Sequence, residues 1–277
     1  MVDTPGKSFT LCVGIDTYSS AGIPPLNWAI ADADSFYQAC LRGRDLDLTE
    51  ARLITGSDAT TEALRSAFGE WLAEAAAEDN VVAYFAGHGA RELPPGKDLR
   101  TATEAYLLPF DAKSDRLYST AISLTHELPT LLSRIRAKNT ALIFDCCLSG
   151  SARVAYEGQR TRGIDGPNLR RALALSDVPL QVAVGKPGGG VTDIGDGVSI
   201  LMACGPSQAA LESDSLRHGI FTYHLLEVLN GSSQARTDAA PLGLIYADVV
   251  SAVARATNAR QVPMLEGRLS DQRLFTG

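Results

Sequence analysis

Apolar runs that alternate with stretches of helical periodicity dominate the first third of this chain. Residues 9–16 ("FTLCVGID"), 51–57 ("ARLITGS") and 80–89 ("NVVAYFAGHG") are strand-like, and the last of them is almost wholly apolar. Residues 26–43 and 60–78 carry apolar positions at helical spacing. Strands that are apolar on both faces and alternate with helices predict a parallel sheet that helices cover on both sides.

The same alternation continues further along the chain. The predicted elements are, in chain order, an extended segment at 104–112, a helix around 125–138, strands at 140–147 and 199–205, helices near 219–230 and 244–257, and an extended segment at 260–267. Between 151 and 197 the pattern is lost among Gly, Pro, Asp and Arg, so we interpret this stretch as a long exposed linker. We expect a single α/β domain with a mostly parallel central sheet of about six strands and helices on both faces.

Length, composition and charge narrow the classes of function. The 277 residues, with 45% hydrophobic content, are enough to bury one substantial core. The formal net charge of −7 and the lack of a basic stripe argue against a nucleic-acid partner. No run of eighteen apolar residues occurs, so we expect no membrane association.

The number and surroundings of the cysteines indicate the cellular compartment in which the protein is expected. The five cysteines are an odd number in apolar or helical surroundings, which is typical of reduced thiols and not of a disulfide framework. The first ten residues, "MVDTPGKSFT", lack a basic region followed by an apolar run. We therefore expect a cytoplasmic protein.

Two of the apolar strands end in reactive side chains. Residues 85–89, "FAGHG", supply His88, and residues 144–150, "FDCCLSG", supply two thiols. In an open parallel sheet, reacting groups gather beyond the carboxyl ends of the strands. A thiolate with a neighbouring imidazole is what a cysteine hydrolase requires. Gly87 or Gly89 would then present a backbone N–H to a developing oxyanion.

Alternation of side chains across a strand distinguishes the two thiols. Asp145 and Cys147 are expected to point to one side of the sheet, and Phe144 and Cys146 to the other. We therefore assign Cys147 as the nucleophile in the crevice. Cys146 is assigned to the packing beneath it, where a free cysteine behaves as a small apolar residue.

The pairing of "FAGHG" with a later "FDCCLSG" resembles the caspase-like cysteine peptidases, and among them the metacaspase and bacterial orthocaspase branch. "VGIDTY", "PLNWAIADAD", "YLLPFDA", "ACGPSQAALE" and "GIFTYHLLEVL" match family landmarks in the expected order, so the resemblance extends from about Phe9 to Pro263. It implies an endopeptidase that uses a dyad of Cys147 and His88, needs no cofactor and acts on protein or peptide substrates.

A carboxylate next to the nucleophile predicts the substrate preference. Asp145 lies two residues before Cys147 on the same side of the strand, where it repels Asp and attracts Arg or Lys. By motif, the resemblance adds two further acids, Asp32 of "AIADAD" and Glu212 at the end of "SQAALE". It implies cleavage after basic residues, with Arg preferred, or Lys.

Two positions depart from the family pattern. Leu148 stands where the family often has a non-catalytic His. "SARVAYEG" offers no acid before Glu157, in a region where many metacaspases bind calcium. We therefore expect no metal and no calcium dependence, although Asp98, Asp111 and Asp115 leave calcium binding open.

The resemblance divides the single domain into three parts. Residues 1–150 form a large-subunit-like part with the dyad, 151–197 the linker and 198–277 a small-subunit-like part. Arginines in an exposed linker are candidate processing sites for a protease that cuts after arginine: Arg160, Arg162, Arg170 and Arg171. Activation is expected through self-cleavage, a second protease or a regulatory protein. The Ala- and Arg-rich composition suggests a bacterial origin and, by analogy alone, a role in defence or stress.

Other interpretations of the same residues stay open. The main alternative is a binding or regulatory module that keeps the fold without catalysis. A redox sensor built on Cys146 and Cys147 would leave the His-Gly turn unexplained, and adjacent cysteines lack the usual two-residue gap of zinc sites. The other histidines, His126, His218 and His224, are interpreted as structural or solvated.

Overall fold

The structure is a computed structural model of the chain. It describes residues 6–42, 48–93, 95, 104–137, 139–147, 161–165, 197–205, 208–231, 241–267 and 274. Among these residues, no helix combines the length and apolar character that crossing a membrane requires.

The described residues form strands and helices in alternation. The strands are β1 (Ser8–Gly14), β2 (Thr49–Thr55), β3 (Asn80–Ala86), β4 (Gly89–Glu92), β5 (Glu104–Leu107), β6 (Ile122–Ser123), β7 (Asn139–Asp145), β8 (Gly163–Asp165), β9 (Val198–Met202), β10 (Glu212–Ser213), β11 (His218–Gly219) and β12 (Met264–Gly267). The α-helices are α1 (Ala29–Leu41), α2 (Thr61–Ser66), α3 (Leu117–Thr120), α4 (Glu127–Leu132), α5 (Ile220–Gly231) and α6 (Leu242–Ala256).

A six-stranded sheet in the order β12-β9-β7-β3-β1-β2 forms the centre of the fold. All neighbouring pairs are parallel except β12 and β9, which are antiparallel. This confirms the predicted fold class. Within the described ranges, two smaller sheets accompany it, one in the order β6-β5-β4-β8 and one of β10 and β11.

The side chains of each central strand divide between two apolar layers. On β1, Leu11 and Val13 belong to one layer with α2 and α4, whereas Cys12 belongs to the other with α1, α5 and α6. Because successive side chains of a strand point to opposite faces, a strand that is apolar at every position must be covered on both. The sheet is thus fixed between two sets of helices, and its strand ends are held in place.

Two predicted elements differ in detail from the structure. The helix predicted at 60–78 is α-helical only through Ser66, and a π-helical turn, Ala67–Trp71, follows it. That turn contains Gly69, which weakens an α-helix and packs closely on α4, since an added Cβ would lie 2.8 Å from Leu131 Cδ2. The helix predicted around 125–138 is confined to α4.

The linker predicted at 151–197 is described only at residues 161–165 and at residue 197, and residues 161–165 differ from the expectation of exposure. Thr161 is half-buried and Arg162 is fully buried. β8 pairs in parallel with β4, and Thr161 forms an antiparallel bridge with Leu211. Main-chain pairing on both sides therefore holds this short segment against the body of the domain.

Close packing of α1 on β1 at Gly14 leads to the first prediction. A Cβ at this position would lie 2.7 Å from both Ala29 O and Ala33 Cβ, so Gly14→Ala must displace the helix that carries Asp32. We expect a loss of about 1–3 kcal/mol in the free energy of unfolding, measured by urea denaturation. Gly243→Ala is the matched control, because an added Cβ there meets nothing within 4 Å. Equal stability of the two variants would contradict this packing.

Candidate active site

The ends of two adjacent parallel strands define the candidate site. β3 and β7 pair so that Ala86 is opposite Asp145. The turn with His88 follows β3, and the two cysteines follow β7. Because parallel strands end at the same edge of a sheet, both reactive segments lie in the crevice beyond that edge.

The His88 imidazole is buried, and one of its nitrogens is held by the backbone. Nε2 lies 2.8 Å from Pro24 O, so this nitrogen carries the proton and donates it. Nδ1 is buried and, among the described residues, has no hydrogen-bond partner. Burial lowers the pKa of His88 to about 4; the hydrogen bond to Pro24 opposes this shift and the charge of Arg162 adds to it. At neutral pH the ring is therefore uncharged, with the Nδ1 lone pair available to accept a proton.

Tyr18 supports the turn that carries His88. The backbone N–H of His88 donates to Tyr18 Oη at 2.7 Å. The two rings are tilted against each other with centroids 5.3 Å apart. An added Cβ at Gly87 would lie 3.1 Å from Tyr18 Oη, so the glycine allows this close approach. Sequence reasoning did not assign Tyr18 to the site.

The two cysteines lie in different layers. Cys146 packs in the layer of α2 and α4, and Cys147 in the layer of α1, α5 and α6. Cys147 Sγ accepts a hydrogen bond from Ala210 N at 2.6 Å and lies 3.7 Å from Ala210 O. Among the described residues, no hydrogen bond joins this thiol to His88. The structure thus brings both residues to one crevice, with the thiol turned towards Ala210.

The carbonyl oxygen of Arg162 lies between the two reactive turns. It accepts hydrogen bonds from Cys147 N at 2.7 Å and from Gly89 N at 3.1 Å. Paired backbone N–H groups on one carbonyl oxygen are the arrangement that stabilises an oxyanion. Of the two glycines considered from the sequence, the structure brings Gly89 to this carbonyl. Gly87 N instead continues the pairing of β3 with β7, through Asp145 O at 3.4 Å.

The side chain of Arg162 is fully buried against the three acids that the sequence analysis singled out. Nη1 lies 2.9 Å from Asp145 Oδ2, and Nη2 lies 3.1 Å from Glu212 Oε1. Nη2 also donates to Asp32 Oδ2. Arg162 itself was considered as a processing site, not as an occupant of this pocket. The other three candidate processing arginines, Arg160, Arg170 and Arg171, lie outside the described residues.

Backbone donors and one histidine hold two of the carboxylates. Glu212 accepts from the N–H groups of Asn27 and Trp28, each at 3.0 Å. Asp32 accepts from Gly219 N at 2.9 Å and pairs with His218 Nδ1 at 2.6 Å. His218, interpreted from the sequence as structural or solvated, is therefore a direct partner of a pocket acid. The His-Gly pair just before the α5 sequence was the signal that could have identified it.

A hydroxyl relay and a glycine complete the pocket. Thr222 Oγ1 donates to Asp145 Oδ2 at 2.5 Å, and Tyr84 Oη lies 2.5 Å from Thr222 Oγ1. An added Cβ at Gly219 would lie 2.7 Å from Asp145 Oδ2 and 2.9 Å from Arg162 Nη2. Only glycine therefore leaves room for the guanidinium at this wall.

The pocket has an excess of negative charge, because three carboxylates surround one guanidinium. Burial raises the pKa of Asp145 to about 6; Arg162 opposes this shift, and Asp32 and Glu212 add to it. Asp145 Oδ1 has no hydrogen-bond partner among the described residues. The charge of Arg162 and the hydrogen bond from Thr222 both favour the ionised form of Asp145.

The aspartates that were considered as calcium ligands do not form a cluster in the described part of the chain. Asp111 accepts from Thr61 N at 2.7 Å and from Thr61 Oγ1 at 2.8 Å, and Asp115 is exposed. Asp98 lies outside the described residues. Within the described ranges, no group of three or more His, Cys, Asp or Glu side chains is arranged to hold a metal ion.

Comparisons with known proteins agree with this fold. The family model described as "Caspase domain" matches residues 7–274. Among 129 matching chains of solved structures is the protein GSU0716 from Geobacter sulfurreducens, with 18% identity, a TM-score of 0.66 and 98% coverage of both chains. Caspase-1 from Spodoptera frugiperda matches with 13% identity and a TM-score of 0.59, covering 98% of this chain and 90% of that one. A search of curated proteins returns no match.

The excess of buried acid predicts a pH-dependent effect of replacing Arg162. Because the folded pKa of Asp145 lies above its ordinary value, this group favours the folded state at low pH and does so less as pH rises through about 6. Arg162→Gln removes the cation that opposes this shift, so the pKa rises further. We expect the free energy of unfolding to fall by about 3 kcal/mol at about pH 8 and by less at about pH 5.

Urea denaturation in a Cys147→Ala background would measure this difference without self-cleavage. Arg65→Gln is the control, because Arg65 pairs with Glu127 at the surface, where an ion pair contributes roughly 0–1 kcal/mol. A destabilisation by Arg162→Gln that did not change with pH would show that the pocket acids do not depend on this cation.

Proposed function

This chain belongs to the caspase domain family, and from that premise we propose that it is a cysteine endopeptidase that cleaves after arginine. Cys147 is the nucleophile and His88 the acid and base. The N–H groups of Gly89 and Cys147 bind the oxyanion. Asp32, Asp145 and Glu212 bind the side chain that precedes the scissile bond.

One observation carries this proposal: Arg162 occupies the crevice as a substrate arginine would. Its guanidinium contacts all three acids while its carbonyl oxygen accepts from Cys147 N and Gly89 N. Its own N–H donates to Ala210 O at 3.1 Å. Side chain, carbonyl and amide of one residue are thus held by separate groups, as catalysis by orientation and oxyanion stabilisation requires.

The groups present account for each step of peptide hydrolysis. The Cys147 thiol must first leave Ala210 N by rotation about χ1, because it is hydrogen-bonded there and not to His88. His88 Nδ1 takes the thiol proton, and sulfur attacks the carbonyl carbon. Collapse of the tetrahedral intermediate breaks the C–N bond as His88 returns the proton to the leaving amine. Water then hydrolyses the thioester and regenerates the thiol.

Pocket geometry favours arginine over lysine. Nη1 pairs with Asp145 while Nη2 pairs with Asp32 and Glu212, so the two ends of the guanidinium fork satisfy different carboxylates. A lysine ammonium is a single point of charge and cannot span the three acids in this way.

The Arg162–Gly163 bond of the chain itself is the substrate that this arrangement presents first. We place self-cleavage there, because Arg162 is held in the crevice. A second protease or a regulatory protein that draws the segment out would be the other route to an accessible site.

Hydrolysis of fluorogenic peptides tests the proposed enzyme. Wild type and Arg162→Gln, whose pocket lacks its own guanidinium, are assayed on peptides that end in Arg or Lys. We expect kcat/KM to favour Arg by about ten-fold or more, since a hydrogen bond to a charged group contributes about 1.5–3 kcal/mol. Cys147→Ala and His88→Ala should abolish turnover, and Cys146→Ala should retain it. If all of these chains are folded and none of them hydrolyses a peptide, the result would support the alternative of a binding module without catalytic activity.

Intact-mass analysis of the purified chain tests self-cleavage. We expect a new amino terminus at Gly163 in the wild type, which Cys147→Ala and Arg162→Gln should each abolish. Arg160→Gln is the matched control and should still be cut at Gly163. Two fragments from Cys147→Ala would show that another protease makes the cut.

A further inference from the structure

We propose that Cys147 and Cys204 form a disulfide when a peroxide oxidises the site, and that this bond reversibly inactivates the enzyme. Both are free cysteines in the structure, and Cys204 takes no part in the proposed mechanism. The loss of activity rests on the proposed function, whereas formation of the disulfide does not.

The order of the central strands places His88 and Cys204 on opposite sides of the nucleophile. In the order β9-β7-β3, the strand that leads to Cys147 lies in the middle. His88 follows β3 on one side, and Cys204 follows β9 on the other. The parallel pairing of β7 with β9 continues past the end of β9, because Ala203 N donates to Phe144 O at 2.9 Å. The two cysteines therefore leave the same edge of the sheet from neighbouring strands.

A bend after β9 turns the Cys204 side chain towards Cys147. Strand alternation alone would place Cys204 in the layer of Ile200 and Met202, which is also the layer of Cys146. The chain bends directly after Met202, and Cys204 packs instead with Cys147 in the layer of α1, α5 and α6. The departure from alternation thus brings the two thiols into one layer.

One short segment of chain contacts both sulfur atoms. Cys204 Sγ donates to Gln208 O at 3.4 Å, and Cys147 Sγ accepts from Ala210 N at 2.6 Å. Cys204 Sγ also lies 4.0 Å from Cys146 O, the carbonyl oxygen of the peptide bond that leads to Cys147. Both sulfur atoms are therefore confined between the end of β7 and the segment that follows β9.

The two thiols also interact with each other. A side-chain hydrogen bond with Cys147 and burial together raise the pKa of Cys204 well above its ordinary value. Cys204 is thus a protonated thiol at neutral pH. Because a thiolate is the form that a peroxide oxidises, the first target is Cys147, from which His88 takes the proton under the proposed mechanism.

Oxidation by hydrogen peroxide proceeds in two steps. The Cys147 thiolate attacks one peroxide oxygen, the O–O bond breaks, and the leaving hydroxide takes up the proton that the thiol released and departs as water. Cys147 is then a sulfenic acid. The Cys204 sulfur attacks the Cys147 sulfur, the S–O bond breaks, and the hydroxyl leaves with the Cys204 proton as a second water. The two thiols lose two electrons in total, and the peroxide gains them.

The disulfide holds the nucleophile on the β9 side of the crevice. In this structure Cys147 Sγ is hydrogen-bonded to Ala210 N, and catalysis requires it to rotate towards His88. A bond to Cys204 prevents this rotation and occupies the sulfur that must attack the substrate. A thiol reductant that cleaves the bond restores both functions of Cys147.

Peptide mapping of the oxidised chain tests the disulfide. Wild type and Arg162→Gln, whose pocket lacks its own guanidinium, are treated with hydrogen peroxide, alkylated without reduction and digested. We expect one linked pair of peptides that contain positions 147 and 204, in Cys146→Ala as in wild type. Cys147→Ala and Cys204→Ala should each lack this pair.

Two results of the mapping would overturn the inference. One is the absence of the linked pair from both wild type and Arg162→Gln while the chains are folded. The other is a linked pair that persists in Cys147→Ala, which would assign the bond to Cys146.

Recovery of activity tests the regulatory effect. Each chain is assayed on an Arg peptide before peroxide, after peroxide and after dithiothreitol. We expect dithiothreitol to restore wild type but not Cys204→Ala, because a sulfenic acid without a resolving thiol is oxidised further to sulfinic acid, which dithiothreitol does not reduce. Cys40→Ala is the matched control, since it removes a buried free cysteine from the same layer and should recover as wild type does. Equal recovery of Cys204→Ala and wild type would contradict the regulatory role.

The two measurements separate this inference from the proposed function. An active enzyme that forms no linked pair would overturn the inference and leave the arginine-specific peptidase standing. A chain that forms the linked pair but hydrolyses no peptide before oxidation would overturn the proposed function and leave the disulfide standing.

Discussion

The site depends on one buried guanidinium held by three carboxylates. Asp32 comes from the first turn of α1, Asp145 from the end of β7 and Glu212 from β10, so the cation joins parts of the chain that are far apart in sequence. Buried like charges destabilise one another and are expensive to desolvate, and breaking such a network by removing one partner is strongly destabilising. Under the proposed function, such a pocket selects its occupant by charge, because an apolar or acidic side chain would leave the acids uncompensated.

Under the proposed function, substrate selection and catalysis depend on the same backbone segments. β7 ends in Asp145, and two residues later the chain supplies both Cys147 N and the thiol. The turn that carries His88 continues directly into Gly89, the other donor to the Arg162 carbonyl and the first residue of β4. A residue that fills the acid pocket therefore places its carbonyl between the two donors without further adjustment. Because the chain's own Arg162 does so, the proposed function requires an external substrate to displace this segment or to bind after its cleavage.

Patterns that are local in sequence predicted the fold class and the faces of the strands, but they did not predict the contacts between residues far apart in the chain. Alternating apolar strands and helices predicted the fold class, which the structure confirms, and the strand period separated Cys146 from Cys147 into opposite layers. The burial of Arg162 was not predicted. An irregular segment rich in Gly, Pro and charged residues is interpreted as exposed unless the residues that it contacts elsewhere in the chain are known. The choice of Gly89 over Gly87 depends likewise on which N–H the neighbouring strand already uses. His218 became significant only once Asp32 lay beside it.

Occupation of the pocket also acts on two titratable groups of the crevice, Asp145 and His88. The positive charge of Arg162 lowers the pKa of Asp145 against the effect of burial, and it adds to the lowering of the pKa of His88. An arginine in the pocket thus favours an ionised Asp145 and an uncharged His88, the states needed to bind a cation and to accept a thiol proton. A neutral side chain would provide neither effect. Under the proposed mechanism, the residue before the scissile bond therefore contributes to the chemical step as well as to binding, because its charge favours the protonation states on which that step depends.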